Sequence, residues 1–227
     1  MRTTVAAGRE LPVGKIVCVG RNYAEHAREM GVAPPDRSST GCPSEPVLFL
    51  KPSTALLVEP THIYLPSFST EVHHEVELVV RVGRLLCRAT PQEAAAAVDA
   101  VALGLDLTAR DLQAQAKKAG LPWAVAKGFD GAAPLSALVP VDGADALASA
   151  SFTLEVNGVM RQAGACAEML WPLPQLIAHI SARFTLEPGD LVFSGTPAGV
   201  AALRAGDQVR GTLNGAVLLV ATVHQRE

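Results

Sequence analysis

Short apolar runs that end at proline or at an Asn-Gly pair restrict the fold of this chain more than any other sequence feature. Pro52, Pro60 and Pro66 each follow such a run, and the three runs cover 47–50, 55–58 and 63–65. Farther along, Asn157-Gly158 and Asn214-Gly215 lie between apolar runs, and this pair is a strong local signal for a tight β-hairpin. Only a few stretches have helical character: 24–30, 91–98, 108–118 and 174–181. The pattern predicts an α+β, predominantly β fold of barrel-like or multi-sheet form with peripheral helices.

The composition fits one large packed domain. Of the 227 residues, 49% are hydrophobic and 18% are charged, which is ample for a core and low for a disordered protein. The formal net charge of −3 gives no reason to expect nucleic acid or an anionic membrane as a partner. No apolar run reaches the roughly 18 residues of a membrane span. The first residues lack a secretory core, and four widely spaced cysteines form no C-x-x-C pair, so we expect a cytoplasmic protein with free thiols.

One segment interrupts the pattern of short strands. Residues 31–46 contain four prolines together with serine, threonine and glycine, a composition that does not form regular structure. A loop of this length inside a compact domain is usually a lid, a binding loop or disordered. We therefore predict an N-terminal extension over 1–14 and a single domain over 15–227, with a lid loop at 31–46.

Three carboxylates in apolar surroundings indicate a metal site. Glu75 and Glu77 flank Val76 at the start of the apolar run 76–82, and Asp106 lies in the apolar run 98–107. Residues two apart on a strand share a face, and a buried carboxylate without a partner costs much free energy. An all-oxygen set of this kind suits Mg²⁺ or Mn²⁺.

Two alternatives to that site stay open from the sequence. The carboxylates could be edge-strand charges paired with Arg81, Arg84 or Arg110. Alternatively, His73 could add a nitrogen ligand, which would favour Zn²⁺ or Fe²⁺.

Two further groups could take part in chemistry. His26 and Glu29 are three residues apart in the helical stretch and share one helix face, so they form either a general base that activates water or a solvated surface pair. Lys127 lies in an apolar, aromatic segment, where a lysine either extends its ammonium to water or neutralises a developing anion. Arg110 and Gln113 follow Asp106 closely enough to reach the same site.

The loop at 194–199 (SGTPAG) follows an apolar run and consists of small residues, so its backbone N–H groups can approach an anionic ligand. It lacks the lysine of a P-loop. The chain has no G-x-S-x-G elbow and no G-x-G-x-x-G after a strand, which argues against a serine hydrolase and a dinucleotide-dependent enzyme.

Seven ordered blocks resemble the fumarylacetoacetate hydrolase superfamily, in its short single-domain branch. They cover most of residues 15–225: VGRNYAEH at 19–26, EPVLFLKPS at 45–53, HHEVEL at 73–78, GLDLTARDLQ at 104–113, LPWAVAKGFD at 121–130, VNG at 156–158 and GDLVFSGTPAGV at 189–200. The resemblance implies a mixed β-sandwich roll or barrel, commonly a homodimer, whose catalytic domain binds Mg²⁺ or Mn²⁺ through Glu75, Glu77 and Asp106. It also implies catalytic roles for His26, Glu29 and Lys127. The positions implied to contact substrate are Arg21, Arg110, Gln113, Gly195 and Thr196.

The resemblance implies a small 2-oxo acid as substrate and a metal-stabilised enolate as intermediate. The first expectation is a hydrolase that cleaves the C–C bond of a 3-acylpyruvate with water activated by His26 and Glu29. The same enolate serves oxaloacetate decarboxylation or tautomerisation and the isomerisation of hydroxymuconate-type diacids in aromatic catabolism, so these alternatives stay open. A non-catalytic binding protein is disfavoured, because it has no need of a water-activating pair. The segment 31–46 has a few more residues than in compact relatives, a difference that bears on the lid and the substrate pocket, and so on the reaction, more than on the metal site.

Overall fold

A computed structural model describes residues 2–31 and 45–226. Within these residues the strands are β1 Thr3–Ala6, β2 Arg9–Pro12, β3 Lys15–Gly20, β4 Val47–Pro52, β5 Leu56–Val58, β6 His62–Leu65, β7 Val72–His74, β8 Val76–Val82, β9 Val98–Leu105, β10 Thr108–Ala109, β11 Ala133–Leu135, β12 Val139–Pro140, β13 Ser151–Val156, β14 Val159–Ala165, β15 Leu191–Phe193, β16 Ala201–Ala202, β17 Gln208–Leu213 and β18 Ala216–Gln225. The predicted α+β, predominantly β architecture is confirmed.

The helices are few and short. They are α1 Ala24–Glu29, α2 Pro91–Ala95, α3 Arg110–Ala119, α4 Ala124–Lys127 and α5 Leu173–Ser181, with 3₁₀ turns at Ser53–Ala55, Ala144–Leu147 and Cys166–Glu168. α2 begins with a capping box, in which Thr90 and Glu93 bond each other's backbone N–H groups. Gly120 ends α3 with a φ of 66°, the left-handed conformation that glycine adopts most easily. None of the helices in the described part of the chain is long and apolar enough to cross a membrane.

A mixed sheet forms the centre of the fold. Its strand order is β4-β3-β15-β8-β9-β11-β5, and β12 pairs with β9. β15 runs parallel to β3 and β11 parallel to β5, while β8 and β9 pair antiparallel. Every residue of β8 is buried, as expected for a strand covered on both faces.

A second sheet packs beside the first, in the order β14-β13-β17-β18-β6. The two predicted hairpins lie in it. Asn157 and Asn214 have φ values of 54° and 49°, and the glycine after each is also left-handed, which is the geometry of a two-residue hairpin turn. A three-stranded sheet, β10-β7-β16, joins the two larger ones near the end of β9.

Some boundaries differ from those predicted. The helix expected over 91–98 ends at Ala95, because Val98 already pairs with Val82 in the sheet. Glu75, expected inside a strand, lies between β7 and β8. Residues of the predicted N-terminal extension form the hairpin β1-β2. Residues 32–44 of the predicted lid lie outside the described residues, and the domain boundaries stay a prediction.

Candidate active site

The three carboxylates come together at one end of the central sheet. Glu77 lies in β8, Glu75 precedes β8 directly, and Asp106 follows the last residue of β9. Because β8 and β9 are antiparallel neighbours, with Glu77 opposite Gly104, the start of one strand meets the end of the other. The Asp106 N–H donates to the Glu75 carbonyl oxygen at 2.8 Å. One carboxylate oxygen from each side chain lies within 4.8 Å of the others.

Three cations contact these carboxylates. Lys127 Nζ donates to Glu75 Oε2 at 2.7 Å and to Asp106 Oδ2 at 2.6 Å. Lys51 Nζ, from β4, lies 2.8 Å from Asp106 Oδ1, and the Arg110 guanidinium binds the other oxygen of Glu75. The two lysines and the three carboxylates are all buried. Three carboxyl groups and three cations therefore lie together in a region from which water is largely excluded, and the cations contact only Glu75 and Asp106.

The surroundings shift the pKa values of these groups in different directions. Burial opposes the charge on Glu75, but Lys127 and then Arg110 outweigh it and hold the Glu75 pKa well below its usual range. Burial and then the Asp106 charge raise the pKa of Glu77 well above its usual range, although Oε2 accepts a hydrogen bond from Gly195 N at 2.7 Å. Burial also opposes the charge on Lys127, yet Asp106 and Glu75 raise its pKa above the usual value. Negative charge around Glu77 thus exceeds what the nearby cations neutralise.

The residues present fit a hard divalent cation. The donor set consists of carboxylate oxygens alone, which Mg²⁺ and Mn²⁺ prefer. Asp106 Oδ1 is buried and accepts no hydrogen bond, although Lys51 lies close to it. A buried oxygen without a hydrogen bond is unfavourable. A carboxylate in like-charge surroundings, such as Glu77, is also unfavourable unless a further positive charge is present.

The sequence left two alternatives to an all-carboxylate metal site, namely carboxylates paired with arginines and a ligand from His73. The contacts support only one arginine pair. Arg110 does pair with Glu75, as one of them expected, whereas Arg81 bonds Asp99. His73 contacts Glu71 at 2.8 Å and is absent from the only cluster of metal-ligating side chains found among the described residues. A nitrogen ligand therefore has no support from the geometry.

His26 and Glu29 form a hydrogen-bonded pair at the same pocket. His26 Nδ1 lies 3.2 Å from Glu29 Oε2, and the two oxygens of Glu29 accept from Gly199 N at 3.1 and 3.2 Å. The His26 side chain is buried, so this half of the pair is shielded from solvent. Glu29, in contrast, keeps about a third of its side chain exposed (34%).

One pocket collects nearly all the predicted site residues. Those that line it are Arg21, His26, Glu75, Glu77, Asp106, Arg110, Gln113, Lys127 and Thr196. The remaining two lie directly behind them, since Gly195 holds Glu77 and Glu29 holds His26. Arg21 has a φ of 62°, a strained conformation for a residue with a side chain, and such strain clusters at functional sites.

Three residues without a predicted role support the site. Lys51 is one of them. The sequence marked it only as a lone lysine directly after the apolar run 47–50. Gln162, from β14, accepts from Val76 N at 3.0 Å and donates to Thr196 Oγ1 at 2.8 Å. Asn22 donates to Ser194 O at 2.7 Å and thereby links the loop before α1 to the end of β15. No local pattern marks the last two.

Comparison with known proteins gives a consistent result. A family model described as fumarylacetoacetate (FAA) hydrolase C-terminal matches residues 15–224. The mitochondrial oxaloacetate tautomerase FAHD1 of Homo sapiens is 44% identical over 215 residues, which cover 93% of this chain and 92% of that protein. Oxaloacetate tautomerase YcgM of Escherichia coli is 44% identical over 207 residues, 91% of each chain. The crystal structure of fumarylpyruvate hydrolase from Pseudomonas aeruginosa, in complex with Mn²⁺ and pyruvate, superimposes with a TM-score of 0.90 at 35% identity, covering 99% of this chain and 96% of that one.

Proposed function

The chain belongs to the fumarylacetoacetate hydrolase family, and from that premise we propose that it is a divalent-metal-dependent enzyme that interconverts the keto and enol forms of oxaloacetate. The observation that carries the proposal is the convergence of Glu75, Glu77 and Asp106 with His26 on one pocket. Two relatives with high coverage are named oxaloacetate tautomerases, which supports this choice among the reactions of the family.

Glu75, Glu77 and Asp106 are the residues that would hold Mg²⁺ or Mn²⁺ in this chain. A bound divalent cation supplies Lewis-acid stabilisation of an enolate oxygen. The neighbouring fumarylpyruvate hydrolase was solved with Mn²⁺ and pyruvate, which supports both the metal class and a small 2-oxo acid as the ligand.

His26 is the group best placed to move a proton. Its Nδ1 is held by Glu29, so Nε2 is left to accept a proton from C3 of the keto acid. The enolate becomes the enol when its C2 oxygen takes a proton from water, and in the reverse direction that oxygen loses its proton while His26 returns one to C3. The Gly199 N–H fixes Glu29, which in turn fixes the orientation of the imidazole. Lys127 and Arg110 add positive charge beside the carboxylates and so favour the negative charge that develops on the substrate oxygen.

Hydrolysis of 3-acylpyruvates is the second candidate, and the His26–Glu29 hydrogen bond of 3.2 Å favours it. The pair would take a proton from water, and the hydroxide formed would attack the distal acyl carbonyl. The C–C bond then breaks to give pyruvate and a carboxylic acid. The likeness to a fumarylpyruvate hydrolase at 35% identity supports this reaction as well.

A substrate panel tests both candidates. The purified protein with Mn²⁺ or Mg²⁺ is given oxaloacetate, acetylpyruvate, fumarylpyruvate and a hydroxymuconate, and enol absorbance, pyruvate release and isomer formation are followed separately. We expect keto–enol exchange of oxaloacetate above the rate of metal without protein. Pyruvate release from an acylpyruvate at a faster rate would establish the hydrolase instead, and isomerisation of the hydroxymuconate would establish the third alternative.

His26→Ala separates the proton-transfer role from the metal site. Loss of a general base typically lowers turnover by about 10²–10⁴-fold, and we expect a loss of this size with unchanged Mn²⁺ affinity in titration calorimetry. His62→Ala, which changes an exposed residue of β6, serves as the control and should turn over like the parent. Parent-like rates for His26→Ala would remove the pair from the mechanism.

The homodimer and the cytoplasmic location remain proposals. The first rests on the resemblance described above and the second on the sequence. Light scattering on the purified protein tests the homodimer.

A further inference from the structure

One face of α3 lines the pocket with three residues, one more than the two predicted site residues of this helix. Arg110, Gln113 and Lys117 are spaced three and four residues apart, which places them on one side of a helix. All three line the pocket that contains the carboxylates. Lys117 is thus a pocket residue with no role in the mechanism described above.

Aromatic packing helps to position the Lys117 side chain. Its Nζ lies 5.3 Å from the centre of the Trp123 ring, a cation–π contact. Trp123 in turn packs edge-on against Phe49, with ring centres 6.0 Å apart. Both aromatic rings also line the pocket. The Trp123 contact therefore positions the ammonium beside the pocket, although Lys117 is an exposed residue.

Lys117 and Arg21 are surplus positive charges. Lys51, Lys127 and Arg110 are already paired with Glu75 and Asp106, and none of the three contacts Glu77. Within residues 2–31 and 45–226, neither Lys117 nor Arg21 forms an ion pair with a carboxylate. Burial and then the neighbouring charges of Arg110 and Arg21 lower the pKa of Lys117, as expected where cations are concentrated.

We propose that Lys117, together with Arg21, binds the distal carboxylate of the substrate, so that this enzyme selects 2-oxo dicarboxylic acids over 2-oxo acids with an uncharged distal end. The inference rests on the proposed function and deepens it. Oxaloacetate and fumarylpyruvate both carry a second carboxylate, whereas acetylpyruvate ends in a methyl ketone. The 2-oxo acid end would lie at the carboxylate cluster, and the second carboxylate would lie toward the exposed end of α3.

The test compares Lys117→Ala with Lys118→Ala. Lys118 is the adjacent lysine of α3 and does not line the pocket, so it controls for a change in overall charge. A hydrogen bond to a charged group contributes about 1.5–3 kcal/mol, equivalent to roughly 10–100-fold in affinity. We expect Lys117→Ala to raise the KM for oxaloacetate by about tenfold or more, with the KM for acetylpyruvate unchanged. Lys117→Arg should recover much of the loss, and Lys118→Ala should resemble the parent with both substrates.

Equal changes with both substrates, or no change with either, would overturn the inference. A parent enzyme that turns over neither substrate contradicts the proposed function instead, and binding then decides about Lys117. Titration calorimetry of the Mn²⁺-loaded protein compares pyruvate with 2-oxoglutarate, which adds a distal carboxylate. Lys117→Ala should weaken 2-oxoglutarate alone by about tenfold or more, and an unchanged ratio of the two dissociation constants rejects the subsite.

Discussion

Strand β8 carries two buried charged residues, Glu77 and Arg81, that belong to clusters of different kinds. Both are 1% exposed, and their spacing of four places them on the same face of the strand. Arg81 faces Asp99 and the N-terminal hairpin, whereas Glu77 faces Glu75 and Asp106. Comparison of the two clusters shows which buried charges stabilise the fold and which serve chemistry.

In the Arg81 cluster every guanidinium nitrogen of Arg81 donates a hydrogen bond. Its Nε and Nη2 donate to the two oxygens of Asp99 at 2.8 and 3.0 Å. Nη1 donates to the carbonyl oxygens of Thr4 and Arg9 at 3.2 and 3.3 Å. One positive charge meets one negative charge in a bidentate pair, and the backbone takes the remaining donor. This cluster fastens the β1-β2 hairpin to the central sheet.

The Glu77 cluster is different because like charges converge in it. Burial and then the Asp106 charge raise the pKa of Glu77 well above its usual range. Asp106 Oδ1 accepts no hydrogen bond. A cluster that only stabilised the fold would not place carboxylates against each other. The contrast supports the proposal that Glu75, Glu77 and Asp106 hold a divalent cation, which would offset the unfavourable electrostatics at Glu77.

The largest expected effect comes from Glu77→Gln, which keeps the shape and removes the charge. Substitution of a residue that hydrogen-bonds to a metal ligand already lowers metal affinity by about 10–100-fold. Loss of the charge of a ligand should therefore reduce Mn²⁺ affinity by more than about 100-fold and abolish turnover. The metal-free protein should be at least as stable as the parent, because repulsion with Asp106 is removed. Calorimetry and urea unfolding measure the two effects.

The combination of weaker Mn²⁺ binding with unchanged or greater stability of the metal-free protein distinguishes a metal site from a structural cluster. If Glu77→Gln instead destabilises the metal-free protein as strongly as removal of a structural charge, both clusters of β8 are structural and the comparison fails. Retention of parent-like Mn²⁺ binding would reject the metal site itself.

Asp99→Ala should have the opposite pattern. It leaves the Arg81 guanidinium buried without a counter-charge, and loss of one partner of a fully buried pair costs about 3–5 kcal/mol. Because the Asp99 side chain is 27% exposed, we expect a smaller loss, about 2–3 kcal/mol in urea unfolding. Mn²⁺ affinity should stay at the parent value.

The double variant Arg81→Met with Asp99→Ala tests the cause of that loss. Removal of the uncompensated charge should recover part of the stability, although the carbonyls of Thr4 and Arg9 lose their donor. A double variant that is less stable than Asp99→Ala alone would mean that packing and backbone bonds, not the charge pair, dominate this end of β8.

Sequence patterns predicted the functional cluster better than the structural one. Glu75, Glu77 and Asp106 are conspicuous because carboxylates rarely lie in apolar runs. Glu77 lies in β8 and Asp106 directly follows β9, the next strand in sequence order, so their proximity follows from a local β8-β9 pairing. For Arg81 the sequence left open a carboxylate partner among Glu75, Glu77 and Asp106. The actual partner, Asp99, was not among these candidates.

Contacts between distant parts of the chain were not predictable in the same way. Lys51 reaches Asp106 because β4, β3, β15 and β8 are neighbours in the sheet, an order that joins segments far apart in sequence. Gln162 reaches the site from the other large sheet for a similar reason. Hairpins at Asn157-Gly158 and Asn214-Gly215 depend on two residues each, and the sequence predicted both.

The smallest expected effect is that of Arg9→Gln, at the solvent edge of the structural cluster. Arg9 Nη1 lies 3.6 Å from Asp99 Oδ2, and its side chain is 53% exposed. Exposed ion pairs contribute at most about 1 kcal/mol and often nothing measurable, and the carbonyl that binds Arg81 is unchanged by the substitution. We expect a loss of no more than about 0.5 kcal/mol in urea unfolding. A loss as large as that of Asp99→Ala would mean that Arg9, and not Arg81, is the main counter-charge of Asp99, so that the buried pair contributes little to the attachment of the hairpin.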